Sequence, residues 1–487
     1  MFGVWTASSL AAYWNGPVWA VCLAGLLLFP LGPLLWELWA ARRRANRESS
    51  ASSSSSSFFA DLDRNKRNER FLSVGDRLML RTLFVNGLFM TVLLYAWPGT
   101  AYTALSGRGD WMLDGREDPY SNGFRDGLHA ASDRFEWLLD RPDDNPYEQL
   151  EEHVDDKPIP VPPPPVPPPV FEPEPDFEGP EEEVADQLFW PIEDTLHPRI
   201  VDPPAHAEQS VEALGTWLLA EFPDQRERVR AMHDWVADNI AYDFVALDNL
   251  NYGRGQTSAI VFEHRVGVCA GYANLMVALG KVTGDEIVYL TGKTREEDGS
   301  IAGISHAWNA AKVDGDWVLI DATWDAGHRG EDRGFKKDYR TDYLFTPPEV
   351  FITTHLPKDD KWQLLSEPVS RGDFIRMPMM QGAFYAQGLS FHGEMRSQVT
   401  ADGALHLVLD NPKRKSLLVT YEPRGGGKKQ DCKVKGKLED TLTVDCYFGG
   451  KGTYDLMLYT ADELYVQHWS VGRIEVNSTR AAGLPGV

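Results

Sequence analysis

Residues Gly267–Gly284 read GVCAGYANLMVALGKVTG, and Ser305–Asp325, beyond a variable connector, read SHAWNAAKVDGDWVLIDATWD. In the first run Tyr272, Leu275, Met276 and Leu279 recur at i, i+3, i+4 and i+7, which predicts one buried helix face. Cys269 lies one turn earlier on that face, at the helix start, where free N–H groups and the dipole favour an anion. A thiol there should lose its proton more easily than in water. In the second run two β-type segments flank Asp314-Gly315, a hairpin signal. A two-residue loop pairs Val313 with Asp316 and His306 with Thr323. Asp321 then falls on the same face as His306, as its diagonal neighbour. A three-residue turn would separate them and bring Asp325 into consideration instead.

A thiol, an imidazole and a carboxylate are the parts of a thiol nucleophile: the cysteine attacks, the histidine moves the proton, and the aspartate holds the histidine. The candidate catalytic residues are therefore Cys269, His306 and Asp321. Each alone has an ordinary structural explanation: a small buried hydrophobe, a strand histidine, a turn acid. Together, in the order GVCAGYANL, SHAWN, WVLIDATWD, they resemble the transglutaminase-like (papain-related) superfamily. The tail DYLFTPPEVFITTHLPKDDKWQLL, Asp342–Leu365, resembles its kyphoscoliosis-peptidase branch and the cytokinesis-related relatives. The resemblance runs over about Glu208–Leu389. It implies an α+β papain-like core and acyl transfer on peptide or glutamine carbonyls, of peptidase or amidase type. It assigns His355 and Trp362, in the tail, to structure. Some cytokinesis-related members lack an intact triad, so the competing reading is a catalytically silent binding or scaffold protein.

Around these residues Gln256 is a candidate oxyanion donor beside the Cys269 N–H, or else an ordinary loop amide. Trp308 and Trp324 are candidate walls of a substrate groove, with core packing as the alternative. Trp235 lies in the apolar face Val229, Met232, Trp235, Val236, Ile240 and receives no such role. The sequence contains no Walker loop, HExxH, EF-hand or CxxC, so no metal and no cofactor is expected.

At 487 residues the chain exceeds one ordinary core, and a net charge of −24 argues against nucleic acid as partner. Pro17–Ala40 is apolar apart from Glu37, and Leu78–Tyr102 is a less clean apolar run with Arg81 near its start; each is long enough to cross a bilayer as a helix. No small-residue cleavage site follows the first run, so it is expected to be an anchor rather than a removable signal. The loop 41–81 between the runs carries nine arginine or lysine residues from Arg42 to Arg77, with a serine tract at Ser49–Ser57. By the positive-inside rule it faces the cytoplasm, and the rest of the chain is extracytoplasmic. Its use as a signalling or lipid-contact element is a third, weaker functional reading.

The expected organisation is a two-helix membrane anchor (1–104), a juxtamembrane segment (105–140), a Pro-rich acidic linker (141–185), the transglutaminase-like domain (186–370) and a C-terminal antiparallel β-sandwich (371–478). The linker contains VPPPPVPPPV and repeated acids, a composition that cannot bury enough apolar surface to fold. The sandwich is expected from short alternating runs such as HLVLD, SLLVTYEP and TLTVDCYF. The branch's immunoglobulin-like modules agree with it. Cys432 and Cys446 flank one hairpin there and would bridge in an oxidising compartment. The expected partners are a protein or peptide substrate and the membrane.

Overall fold

The structure, a computed structural model, describes residues 2–14, 16, 18–52, 73–114, 116, 118–136, 145–152, 190–249, 255–295, 305–393, 395–461 and 469–482. The VPPPPVPPPV tract and most of the serine tract lie outside them.

The Cys269–Thr283 helix follows the sequence pattern. Tyr272, Leu275, Met276 and Leu279 are all buried, and Gly284 ends the helix at φ 81°. The helix lies against a five-stranded antiparallel sheet ordered Leu344–Thr346, Asp316–Ile320, His306–Val313, Ile287–Thr294, His355–Pro357. Asn309 ties the layers together by donating from Nδ2 to the Ala273 carbonyl at 3.1 Å. The Gln225–Asn239 helix, capped by Asp224, supplies Val229, Met232, Trp235 and Val236 to the same core. The residues before the thiol helix are not all loop: Ser258–His264 form a helix closed by Arg265 in the left-handed region.

The Asp314-Gly315 turn forms as expected, with φ 54° and 103° and Val313 opposite Asp316. The ladder stops, however, at Asn309 opposite Ile320. His306 therefore does not pair with Thr323. Asp321 instead donates its N–H to Tyr343, while its Oδ1 accepts from Thr323 N at 2.9 Å and Trp324 N at 3.3 Å. An aspartate that captures the amides two and three residues on turns the chain out of the strand. His306 and Asp321 meet across this turn rather than as diagonal strand neighbours.

The C-terminal region contains a six-stranded and a four-stranded sheet that share one core of Leu407, Leu409, Leu417, Val419, Leu442, Val444, Leu456, Ile474 and Val476. One pairing departs from the expected antiparallel pattern: Gln398–Ala401 runs parallel to Trp469–Ser478. Lys433 pairs with Asp445, which sets Cys432 opposite Cys446, and the two form a disulfide.

At the other end, the helical stretch from Trp19 to Arg43 and the Val74–Ala96 helix are each long and apolar enough to cross a membrane. In the first stretch the backbone leaves helical geometry at Phe29, beside Pro30. The second ends earlier than expected, at Ala96. Pro98 opens a separate Pro98–Arg108 helix whose Ala101 and Tyr102 are buried. Arg81 does not stand alone near the helix start: it pairs with Glu37, as does Arg77 at 3.4 Å, so the charges interrupting the two apolar runs meet. The Pro119–Asp133 helix buries Ser121, His129 and Ser132, while Phe124 is exposed.

Residues 145–152, which composition places in the unstructured linker, pack against the thiol helix instead. Tyr147 is buried there, and a single buried aromatic with backbone partners outweighs a weak local composition signal.

Candidate active site

Cys269 opens its helix, His306 opens its strand, and Asp321 directly follows the neighbouring strand, Asp316–Ile320. His306 Nε2 lies 2.7 Å from Asp321 Oδ2, both buried, and the Cys269 side chain is a hydrogen-bond partner of His306. Burial disfavours the charged imidazole, yet the charges of Asp321 and Cys269 outweigh it and push His306 up to about 10. Burial likewise opposes ionisation of Asp321, but the His306 charge and hydrogen bonds from two histidines hold its carboxyl well below the usual carboxylate range.

The second histidine is His355, which the family tail marks only as structural. Its Nε2 lies 3.1 Å from the same Oδ2, and its Nδ1 lies 2.8 Å from Thr354 Oγ1. Burial pushes it down to about 4, so it is neutral at pH 7. A neutral imidazole donating from Nε2 fixes the carboxylate without competing for its charge. Sequence reasoning missed this contact because Asp321 and His355 are 34 residues apart, on non-adjacent strands.

His306, Asp321 and His355 offer three atoms within 4.8 Å of one another, a grouping that metal sites share. Two ligands on a tetrahedral zinc sit about 3.3 Å apart. The 2.7 and 3.1 Å separations here, both on one oxygen, are those of hydrogen bonds.

Gln256 lies against the start of the thiol helix. Its Oε1 accepts from Val268 N at 2.8 Å, and Gly271 leaves the room: a Cβ there would come within 2.6 Å of that oxygen. With the oxygen held, the Gln256 amide nitrogen donates to no partner among the described residues. Trp324 is partly exposed, 5.8 Å from the His306 ring. Trp308 corrects the expectation of a groove wall. At 1 % exposure it is core, packed with Leu290, Ala310, Tyr343 and Phe351. Trp235 is core as well, stacked on Phe262.

Asp325, the alternative acid, lies on a different histidine. His233 Nε2 is 3.0 Å from Asp325 Oδ2, and its Nδ1 is 3.2 Å from Asp234 Oδ1, which also accepts from Tyr339. Burial resists the charge, but the two carboxylates push His233 up to about 9.

A papain-related helix-on-sheet core bearing cysteine, histidine and aspartate in this order is the architecture of a transglutaminase-like domain, and residues 216–322 match the family model of the transglutaminase-like superfamily. The domain belongs to that superfamily, in the branch of the kyphoscoliosis peptidases. Kyphoscoliosis peptidase of Mus musculus is 28 % identical over 249 residues, covering 50 % of this chain and 37 % of that protein. Its Homo sapiens counterpart is 29 % identical over 212 residues, covering 42 % and 32 %. The chain thus spans about a third of the length of these relatives. Among solved structures, one described as a TGase aligns at TM-score 0.21 with 21 % identity, over 24 % of this chain and 31 % of its own.

Proposed function

We propose that the protein is a membrane-tethered cysteine enzyme that transfers acyl groups from peptide or glutamine carbonyls, acting as a peptidase or amidase. The observation that carries this reading is the Cys269–His306–Asp321 relay, buried and hydrogen-bonded from thiol to carboxylate. With the thiol proton held on His306, the Cys269 sulfur attacks the carbonyl carbon, forming a C–S bond while the carbonyl π electrons move to oxygen. The Cys269 N–H and the Gln256 amide nitrogen receive that oxyanion. His306 passes its proton to the departing amine as the C–N bond breaks, leaving a thioester. Water, deprotonated by His306, then releases the acid and restores the thiol.

Anchoring by Trp19–Arg43 and Val74–Ala96 fits their largely exposed apolar side chains, Leu23, Leu35, Leu38, Leu80, Phe84 and Leu88 among them. A cytoplasmic 41–81 loop fits its arginines and lysines. An extracytoplasmic catalytic domain (186–370) and C-terminal domain (371–478), the latter an immunoglobulin-like sandwich, fit the Cys432–Cys446 disulfide, which an oxidising compartment maintains. Residues 1–104 would form the anchor.

A silent scaffold is the second reading. It is favoured by one observation: Cys269 is only 1 % exposed. Iodoacetamide labelling at Cys269 near pH 7, in the full chain and in His306→Ala, separates the two. A reactive relay labels about tenfold or more faster in the unsubstituted chain. Equal rates that persist when Tyr147→Ala, which removes a side chain packed with Cys269, is added to both chains would leave the scaffold.

A further inference from the structure

The thiol is covered by a piece of its own chain. Tyr147 is 1 % exposed and packs in one cluster with Ala246, Val268, Cys269, Ala270, Ala273 and Ala307. Four alanines line this hollow, which gives it room for a large flat side chain. The segment around Tyr147 is held by its backbone as well. The Tyr147 carbonyl accepts from Tyr289 Oη at 2.7 Å, and the Leu150 carbonyl from Asn274 Nδ2 at 2.7 Å. Glu152 N donates to Asn274 Oδ1 at 2.9 Å, and Glu152 Oε2 accepts from Ser258 N at 2.6 Å. Lys358 donates to Glu148.

Asn274 is the telling residue. It lies on the thiol helix, five positions after Cys269, and is buried at 2 % exposure. A buried side-chain amide needs its partners. Its nitrogen is shared between Leu150 O and Gln256 O, while its oxygen takes Glu152 N. Asn274 thus grips the backbone just where the segment leaves its single 3-10 turn, Glu148–Leu150, which Tyr147 opens. Tyr289 grips the same peptide next to Cys269, whose charge raises the Tyr289 phenol after burial does. Three side chains of the segment are engaged as well: Tyr147 in the cluster with Cys269, Glu148 with Lys358 and Glu152 with Ser258.

We propose that Asn145–Glu152 (NPYEQLEE) is an internal occupant of the substrate cleft. It keeps Cys269 silent until displaced, and its Tyr147 marks what the cleft accepts: a peptide that presents an aromatic side chain from a turn beside the thiol. The proposal rests on Cys269 being the nucleophile. Because the occupant is tethered, it competes at an effective concentration in about the millimolar range, which a free peptide must match. The silent-scaffold observation, a buried cysteine, is then the resting state of an enzyme.

The test is peptide-resolved iodoacetamide labelling of Cys269 in the full chain purified in detergent, with Tyr147→Ala, Tyr147→Phe and Glu152→Gln. Tyr147→Ala is expected to raise the rate about tenfold or more, and Glu152→Gln less, since it loosens only the Ser258 contact. Tyr147→Phe, which keeps the ring, should remain protected. Added NPYEQLEE peptide at millimolar concentration should restore protection to Tyr147→Ala, and the same peptide with alanine for tyrosine should not. Equal labelling in the unsubstituted chain, Tyr147→Ala and Glu152→Gln would overturn the proposal; so would failure of the tyrosine peptide to protect. If Tyr147→Ala does not fold, Glu152→Gln and the peptide carry the test. A gain with Tyr147→Ala that is the same in Tyr147→Ala/His306→Ala supports the cover and sinks the nucleophile, so the two failures are distinguishable.

Discussion

Among the described residues of this domain two buried histidines are held protonated by carboxylates, and only one of them borders a thiol. His306 gives Nε2 to Asp321 and faces Cys269 as well. His233 has both ring nitrogens on carboxylates, Asp325 and Asp234. Both imidazoles are held protonated, at about 10 and about 9. Burial, charge and pairing are therefore alike. What differs is whether one edge of the ring is left for a reacting group. A histidine saturated by acids can only tie elements together, here the Gln225–Asn239 helix to the turn after Asp321. A histidine between an acid and a thiol can move a proton.

Exchanging each histidine for alanine is the strongest way to break this contrast. His306→Ala is expected to lower turnover on any substrate by about 10²–10⁴-fold. His233→Ala should instead destabilise the fold by about 3–5 kcal/mol, because it strands buried carboxylates. Cys269 labelling in the molecules that remain folded should be unchanged. Denaturant unfolding beside labelling measures both. Loss of relay-dependent labelling in folded His233→Ala would erase the distinction.

The acids give a smaller contrast. Asp321→Asn should slow turnover by roughly 10²-fold, since the amide cannot hold the His306 charge. Asp325→Asn should leave turnover near that of the unsubstituted chain and cost about 1–3 kcal/mol in unfolding free energy.

The pH dependence of stability is the smallest effect and the most discriminating. The folded state keeps a proton on His306 that the unfolded state loses above about 6.5, so this stability is complete below 6.5 and is lost as pH rises through about 10. His233 adds an alkaline loss through about 9. His306→Ala should therefore about halve the slope of the alkaline limb between about 6.5 and about 9 and abolish it between about 9 and about 10. His355 has the opposite sign. It stays neutral when folded but takes a proton when unfolded, so stability falls as pH drops from about 6.5 to about 4. A His355→Gln protein whose acid limb is as steep as that of the unsubstituted chain would show that His355 does not contribute this loss.

The parts of the site legible in the sequence are those written in neighbouring residues. Tyr272, Leu275, Met276 and Leu279 announce their helix because a buried helix face repeats every three to four positions. Asp314-Gly315 announces its hairpin because both residues tolerate positive φ. The same logic predicted a longer ladder than the chain forms. The Asp321 side chain competes for the amides of Thr323 and Trp324, and that local capture ends the strand three pairs before His306. Trp308 was readable as either wall or core, since an alternating strand pattern does not say which face meets solvent.

Sequence alone determined the order of thiol, imidazole and carboxylate, the helix that carries the first and the turn that brings back the third. These depend on periodicity and on turn chemistry within a few residues. Only the tertiary structure decided that His355 shares Asp321, that Asp325 belongs to His233 and that Tyr147 joins the buried cluster of Cys269. Those contacts join residues far apart in the chain; Glu152 reaches Asn274 across 122 positions. No local pattern encodes such a meeting. It arises when packed layers bring separate strands and segments to one place, where each buried polar group must find the partner that packing leaves within reach.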